Sequence, residues 1–306
     1  MIQCAVRCFE LADKFIKFNS DCVLCIVKRA VGNIPECNDE AKKLEYSKKV
    51  LRIITNTDEM ISAPQIVAAI TELKNNMFGY KDDFAELKVY FNDLMLSLEN
   101  EYEASIEASD DRLKSAVQFA MLGNYIDFGA LASVDENRLR KIPDDAADFE
   151  LDETEFEYLK ADLAKAKKLV YLTDNCGEIV MDKLLIKQLK QCFPELNIQV
   201  IVRGVPVLND VTVDDAKQVG LTDIVPVCGN GTNIAGTCLK ELPAAVKSMI
   251  EGADVIIAKG QGNFETMQGC GLNVYYMFLC KCKVFSDSFK VPCCTGMLKN
   301  DKRLLK

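Results

Sequence analysis

The feature that most constrains this chain is a change of hydrophobic period near residue 150. Before it, apolar residues recur at helical spacing. Cys22, Cys25 and Ile26 stand at i, i+3 and i+4, and Phe84, Leu87, Tyr90, Phe91 and Leu94 repeat the rhythm. Ser62 followed by Ala-Pro-Gln reads as a helix N-cap with proline in the first turn. After residue 150, short β-rich runs take over: KKLVYLT (167–173), NIQVIVR (197–203), DIVPV (223–227) and DVIIAK (254–259). Amphipathic stretches at 178–191 and 239–251 separate them. Strands alternating with helices of that length predict βαβ units and a mostly parallel sheet covered on both faces. The fold class is therefore α/β, with a helical domain over 1–150 and an α/β domain over 151–306, joined by an acidic linker at 142–150.

In open parallel sheets, ligands bind beyond the carboxyl ends of the strands, and the polar residues of this chain gather there. The first run leads into Asp174-Asn175-Cys176-Gly177-Glu178. The second ends in Arg203-Gly204 and continues to Asn209-Asp210, and the fourth ends in Lys259-Gly260-Gln261-Gly262-Asn263. Topology alone brings Asp174, Asn175, Asp210, Lys259 and Asn263 to one edge. Two carboxylates and an amide oxygen suit a hard divalent cation with positions left for water and substrate. Gly177, Gly260 and Gly262 would let backbone N–H groups approach an anion. Each motif alone also has a plain structural reading, as a turn, a cap or a glycine loop. Arg203 is expected to pair with a neighbouring carboxylate, with substrate contact as the alternative.

Composition removes whole classes of chemistry. The chain has no histidine, which excludes Ser-His-Asp triads, Cys-His dyads, HExxH zinc sites and phosphohistidine intermediates. Its net charge of −9 argues against a nucleic-acid binder. No run approaches the ~18 uncharged apolar residues of a membrane span. Charges within residues 1–18 break any signal-peptide core, so a cytoplasmic location is expected. Fourteen scattered cysteines are expected to be reduced thiols. Cys4, Cys8, Cys22 and Cys25 have the count for structural zinc, but a CxxC on a helix is expected to bury both sulfurs as small hydrophobes. Cys176 is expected beneath the first loop, and Cys280, Cys282, Cys293 and Cys294 in C-terminal strands.

The segments LTDNCGEIVMD (172–182), VRGVPVLNDVTVDDA (202–216) and AKGQGNFE (258–265) resemble the signature segments of the domain-of-unknown-function-89 family, the metal-dependent damage-control phosphatases. DCVLC (21–25), AMLGNYIDFGA (120–130) and GNGTNIAGT…ELP (229–243) match its compact microbial branch, in the same order along the chain. The resemblance implies a helical domain packed on a three-layer α/β/α domain. It implies manganese, cobalt, nickel or magnesium held by Asp174, Asn175 and Asp210, and hydrolysis of phosphate monoesters such as sugar phosphates. Lys259 would then bind the phosphate, and Asn124 and Asp127 would face the cleft. Asp174 and Asp210 are the candidates for orienting the attacking water, with a covalent aspartyl-phosphate on Asp174 as the rival route. A non-catalytic nucleotide- or phosphometabolite-binding protein is the alternative function. A dinucleotide oxidoreductase ranks low, because no GxGxxG follows the first strand.

Overall fold

A computed structural model describes residues 16, 18–58, 61–79, 84–125, 139–147 and 149–304. The chain divides into two compact units, Met1–Asp83 and Phe84–Lys306. In the first, helices α1 (Ser20–Gly32), α2 (Glu40–Thr55) and α3 (Ala63–Phe78) enclose Ile26, Tyr46, Val50, Ile54, Ile66 and Ile70. Each begins at a side chain able to satisfy unpaired N–H groups: Asn19, Asp39, and Ser62 with Gln65 three residues on and Pro64 between. The Ser62 cap stands where its sequence placed it. The CxxC does not behave as expected. The buried stripe of α1 centres on Ile26, which leaves Cys22 half-buried and Cys25 exposed. Cys4 and Cys8 lie outside the described residues.

The second unit contains helices α4 (Ala85–Ala108), α5 (Arg112–Gly123), α6 (Ile142–Ala147) and α7 (Glu153–Leu163), then the sheet. The stretch expected as a linker is in part helix α6. Its Ile142 and Ala146 are buried in the same core as the sheet, so burial of those apolar side chains holds it down. The change of period at 150 thus marks where strands begin, while the compact units divide at Asp83.

The strands are β1 (Lys168–Leu172), β2 (Asn197–Val202), β3 (Val227–Gly229), β4 (Val255–Lys259), β5 (Val274–Leu279) and β6 (Gly296–Asn300). Their order is β3-β2-β1-β4-β5-β6, all parallel except β6, which runs antiparallel to β5. This is the mostly parallel sheet the sequence predicts, with two further strands at the C-terminal side. The third strand starts later than expected. Leu221–Asp223 form a 3₁₀ turn, and Pro226, which has no N–H to give the ladder, stands at the strand's entrance.

Helices cover both faces. Along β5, Tyr275 and Met277 point into the core shared with α4, α5, α7 and α8 (Glu178–Cys192). Tyr276 and Phe278 point the other way, where they meet Phe264 of α11 (Gly260–Met267); Phe285 and Phe289 of α12 (Lys283–Phe289) pack against Phe264 and Phe278. Period-two alternation on a sheet buried on both faces explains why this strand reads as an unbroken apolar run. Helices α9 (Val213–Gln218) and α10 (Ala244–Glu251) complete the connections. Among the described residues, no helix is long and apolar enough to cross a membrane.

Candidate active site

Register builds the site. Leu172 of β1 stands beside Ile201 of β2 and Ala258 of β4, so two residues further on Asp174 lies level with Arg203 and Gly260. This is the switch point of the sheet, where connections from β1 and β4 leave in opposite directions and open a crevice. A bridge between Asn175 and Asp210 draws the second loop onto the first. The Val211 N–H donates to the Asp174 carbonyl (2.9 Å) and the Cys176 N–H to that of Asn209 (2.9 Å). Asp174, Asn175 and Asp210 are therefore brought together.

Arg203 lies behind these carboxylates, almost without exposure. Its Nε donates to Asp210 Oδ2 (2.5 Å), and its Nη2 lies 3.6 Å from Asp174 Oδ1 without a hydrogen bond of its own. The expected ion pair is present. Asn263 fixes the guanidinium from the far side. Its Oδ1 accepts from Arg203 Nη1 (3.3 Å) and Thr237 Oγ1 (2.8 Å), while its Nδ2 donates to the carbonyls of Lys259 and Thr173. Asn263 is thus wholly committed within the protein.

Lys259 is also placed differently from its expected role. Its ammonium donates to Glu178 Oε1 (2.7 Å), Asp182 Oδ1 (2.6 Å) and the Ala120 carbonyl (2.7 Å), and none of the three side chains is exposed. Burial opposes its charge, but Asp182 and Glu178 outweigh burial and hold the ammonium above the usual lysine range. Burial likewise pushes Asp182 up to about 6, against the pull of Lys259; its other oxygen has no partner, and Tyr171 donates to Oδ1 (2.7 Å). All three lysine donors are used, which leaves none for a phosphate.

Glu178 connects this buried pair to the surface of the site. Its Oε2 accepts from Asn124 Nδ2 (2.9 Å) and Asn175 Nδ2 (3.0 Å), and both amides also donate to Asp174 Oδ2, at 3.1 and 2.8 Å. Asn124, at the C-terminal cap of α5, accepts the Leu279 N–H through Oδ1 (3.2 Å). It therefore ties a helix, the end of β5 and Asp174 together. Gly177 does not offer its N–H to an anion as expected, because that group donates to Asn92 Oδ1 (2.7 Å). Gly260 serves by lacking a side chain. With φ of 79°, a Cβ there would stand 1.9 Å from Asp174 Oδ2. Cys176 is buried beneath the loop, as expected. Asp127 lies outside the described residues.

Sequence reading missed several residues. Asp182 carries a usable signal, since it stands one turn after Glu178 on the same helix face. Lys281 carries none. It is half-buried just past β5, and its charge acts on Asp174. Burial, then Asp210 and Glu178, push the Asp174 carboxyl well above the usual carboxylate range, with Arg203 and Lys281 opposing. The C-terminal cysteines do not lie within strands. Cys280 follows β5, Cys282 caps α12, and Cys293 and Cys294 precede β6, because the ladder ends at Leu279 and Gly296.

The donor set fits a divalent cation. Among the described residues, Asp174, Asp210, Glu178 and Asp182 meet two buried cations, Arg203 and Lys259, a formal excess of two carboxylates in a desolvated cluster. Such an excess is neutralised by protons or by a cation. The accessible ligands are carboxylate and amide oxygens, which favour hard ions. Among the described residues, no three Asp, Glu, Cys or His side chains form a metal-binding group, so amides complete any such set. A half-turn of the Asn175 amide would exchange its Nδ2 for Oδ1 beside Asp174.

An α/β switch-point site of carboxylates and amides, built without imidazole, defines the class. Comparison with known proteins then places it. The Damage-control phosphatase ARMT1-like domain matches residues 18–293, and the chain belongs to that family. A damage-control phosphatase of Pyrococcus horikoshii is 31% identical over 285 residues, covering 90% of this chain and 96% of its own. An uncharacterized protein of Methanocaldococcus jannaschii is 29% identical over 290 residues, covering 90% and 93%. The crystal structure of a DUF89 family protein from Pyrococcus horikoshii superposes with a TM-score of 0.79 at 24% identity. It covers 93% of this chain and 99% of that one, and shows the shared fold.

Proposed function

We propose that this chain is a divalent-cation-dependent phosphatase that hydrolyses phosphate monoesters of small metabolites, sugar phosphates among them. The observation that carries the reading is the carboxylate-rich, imidazole-free cluster at the switch point, in which Asp174 keeps 14% of its side chain exposed while the charged groups around it are buried. Asp174, Asp210 and a rotated Asn175 would hold the cation. When bound, such an ion neutralises phosphoryl charge and lowers the pKa of a water. Manganese, cobalt, nickel and magnesium all accept this donor set.

The protein's own groups do the rest. Arg203 clamps Asp210 and holds Nη2 3.6 Å from Asp174 Oδ1, so from behind the carboxylates it fixes their positions and offsets their charge. Lys281, half-buried and acting on Asp174, takes the phosphate-facing role that Lys259 is too deeply engaged to fill. Lys259 is a positioning residue: it fixes Glu178, which aligns Asn124 on Asp174. Asp174 receives the proton of the attacking water, or attacks phosphorus itself to give an aspartyl-phosphate. Both routes need it ionised, and a neighbouring cation favours that state.

The test is a phosphatase screen of p-nitrophenyl phosphate and sugar phosphates with Mg²⁺, Mn²⁺, Co²⁺ and Ni²⁺, and chelator as control. Asp174→Ala should abolish cation-stimulated turnover, and Lys281→Ala should raise KM more than it lowers kcat. Full activity in Asp174→Ala would sink the assignment. Tight phosphometabolite binding with no phosphate release under any cation would favour the non-catalytic alternative.

A further inference from the structure

The end of β5 and the turn before β6 bring together thiols that the proposed reaction does not use. The Cys294 N–H donates to the Cys280 carbonyl (2.8 Å), and the Cys280 N–H donates to the Thr295 carbonyl (2.9 Å). Residues 294 and 295 therefore both stand opposite Cys280, which is a β-bulge. Its first residue, Cys294, has φ of 67°, a position that bulges of this left-handed kind usually give to glycine. A cysteine sits there although glycine would adopt the backbone without cost. Cys293 and Cys294 are both exposed, and their sulfurs are 3.9 Å apart. The bulge reaches the candidate site at two points. The Cys294 carbonyl accepts from the Tyr125 hydroxyl (3.3 Å), and Tyr125 follows Asn124. Lys281 follows Cys280, just beyond the paired segment.

We propose that Cys293 and Cys294 are a redox modification site, closing to a reversible vicinal disulfide that weakens substrate binding. Only this last effect rests on the phosphatase reading. The oxidant is a low-molecular-weight disulfide. One cysteine thiolate attacks a sulfur of that disulfide, its S–S bond breaks and a first small thiol leaves. The second cysteine thiolate attacks the mixed disulfide and a second small thiol leaves. The protein loses two electrons and two thiol protons, and the small disulfide is reduced to two thiols. The sulfurs must close from 3.9 Å to about 2.0 Å. Adjacent Cα atoms are only ~3.8 Å apart across a trans peptide, short of the ~4.4 Å that disulfides ordinarily span. The peptide bond sets that spacing whatever φ and ψ are, so the ring closes under strain, and the strain falls on the φ and ψ of Cys293 and Cys294. Cys294, already at a φ of 67°, takes up that strain, which weakens its hydrogen bonds with Tyr125 and Cys280, the chain neighbours of Asn124 and Lys281. A strained, exposed disulfide of this kind is readily reduced again.

The full chain is incubated with oxidised glutathione, its disulfides are mapped by mass spectrometry, and p-nitrophenyl phosphate hydrolysis is measured with Mn²⁺. The expected result is loss of two hydrogens at Cys293–Cys294, a rise in KM of about fivefold, and reversal of both by dithiothreitol. Cys293→Ser should keep the basal rate and show neither change. Pairing of either residue with another cysteine, or a Cys293–Cys294 disulfide that leaves KM unaltered, overturns the proposal. The map reads thiol chemistry even in a chain that hydrolyses nothing. In that case the test of the site is the Mn²⁺-induced rise in melting temperature, and an equal rise in the oxidised and reduced forms counts against the switch.

Discussion

Replacing Lys259 by methionine removes the buried cation that pairs with Glu178 and Asp182 in the core. The native ammonium lies 2.7 and 2.6 Å from these carboxylates, and all three side chains are fully buried. Breaking a buried pair from one side costs about 3–5 kcal/mol, because the orphaned charge keeps its desolvation penalty. Two orphans put Lys259→Met toward the upper end of that range at about pH 8. The cost should shrink in acid. Asp182 is already raised to about 6 by burial with the lysine present, and without it the pKa climbs further. A carboxylate with a raised folded pKa binds more protons folded than unfolded. Stability is then lost as pH rises from the ordinary carboxylate range through the raised value, and recovered at about pH 5. Urea denaturation followed by far-UV circular dichroism at both pH values measures this. A triple variant, Lys259→Met with Glu178→Gln and Asp182→Asn, should regain part of the loss. A loss below about 1 kcal/mol, the scale of an exposed pair, or one equal at the two pH values, would refute the buried-network reasoning.

Three further outcomes follow from particular contacts. Gly260→Ala places a methyl 1.9 Å from Asp174 Oδ2 at a φ of 79°, so it should cost about 1–3 kcal/mol and erase Mn²⁺-induced stabilisation in thermal melts. Glu265, on α11, is pushed up to about 7 by burial, with Gln261 opposing through a 2.8 Å hydrogen bond. Its raised pKa means that stability falls as pH rises from about 4.5 to about 7, and Glu265→Gln should flatten that segment by about 1–2 kcal/mol, allowing for its partial exposure. An unchanged slope in denaturation across that window would show the carboxyl to be solvated. Cys294→Gly relaxes a left-handed backbone and should leave stability unchanged or raise it by up to about 1 kcal/mol; a loss larger than that by urea denaturation would mean the side chain packs.

Much of the architecture was legible because it is written locally. Alternating β-rich and amphipathic runs gave the α/β class and the positions of β1, β2 and β4 within a residue or two. Ser62 announced its own helix. The β5 run VYYMFL carried no alternation to read, since each face of the strand meets its own helical layer. The segment at 142–150 looked like a linker because its acidic residues dominate the composition, while two apolar side chains set its place in the core.

At the candidate site, the sequence alone determined which backbone edge gathers the polar residues. Strand ends follow from periodicity, and parallel register then makes Asp174, Arg203 and Gly260 neighbours. The absence of histidine fixed what that edge must do without. Only the tertiary structure decided how the charges are spent. Lys259 reaches back to the Ala120 carbonyl of a helix 139 positions earlier, and Asn124 reaches Asp174 across 50. Such partners are chosen by packing and desolvation among distant segments, since a buried ammonium must find every acceptor it can. No local pattern records that choice, which is why Lys259 reads as a ligand for phosphate in the sequence and stands in the fold as the brace beneath the site.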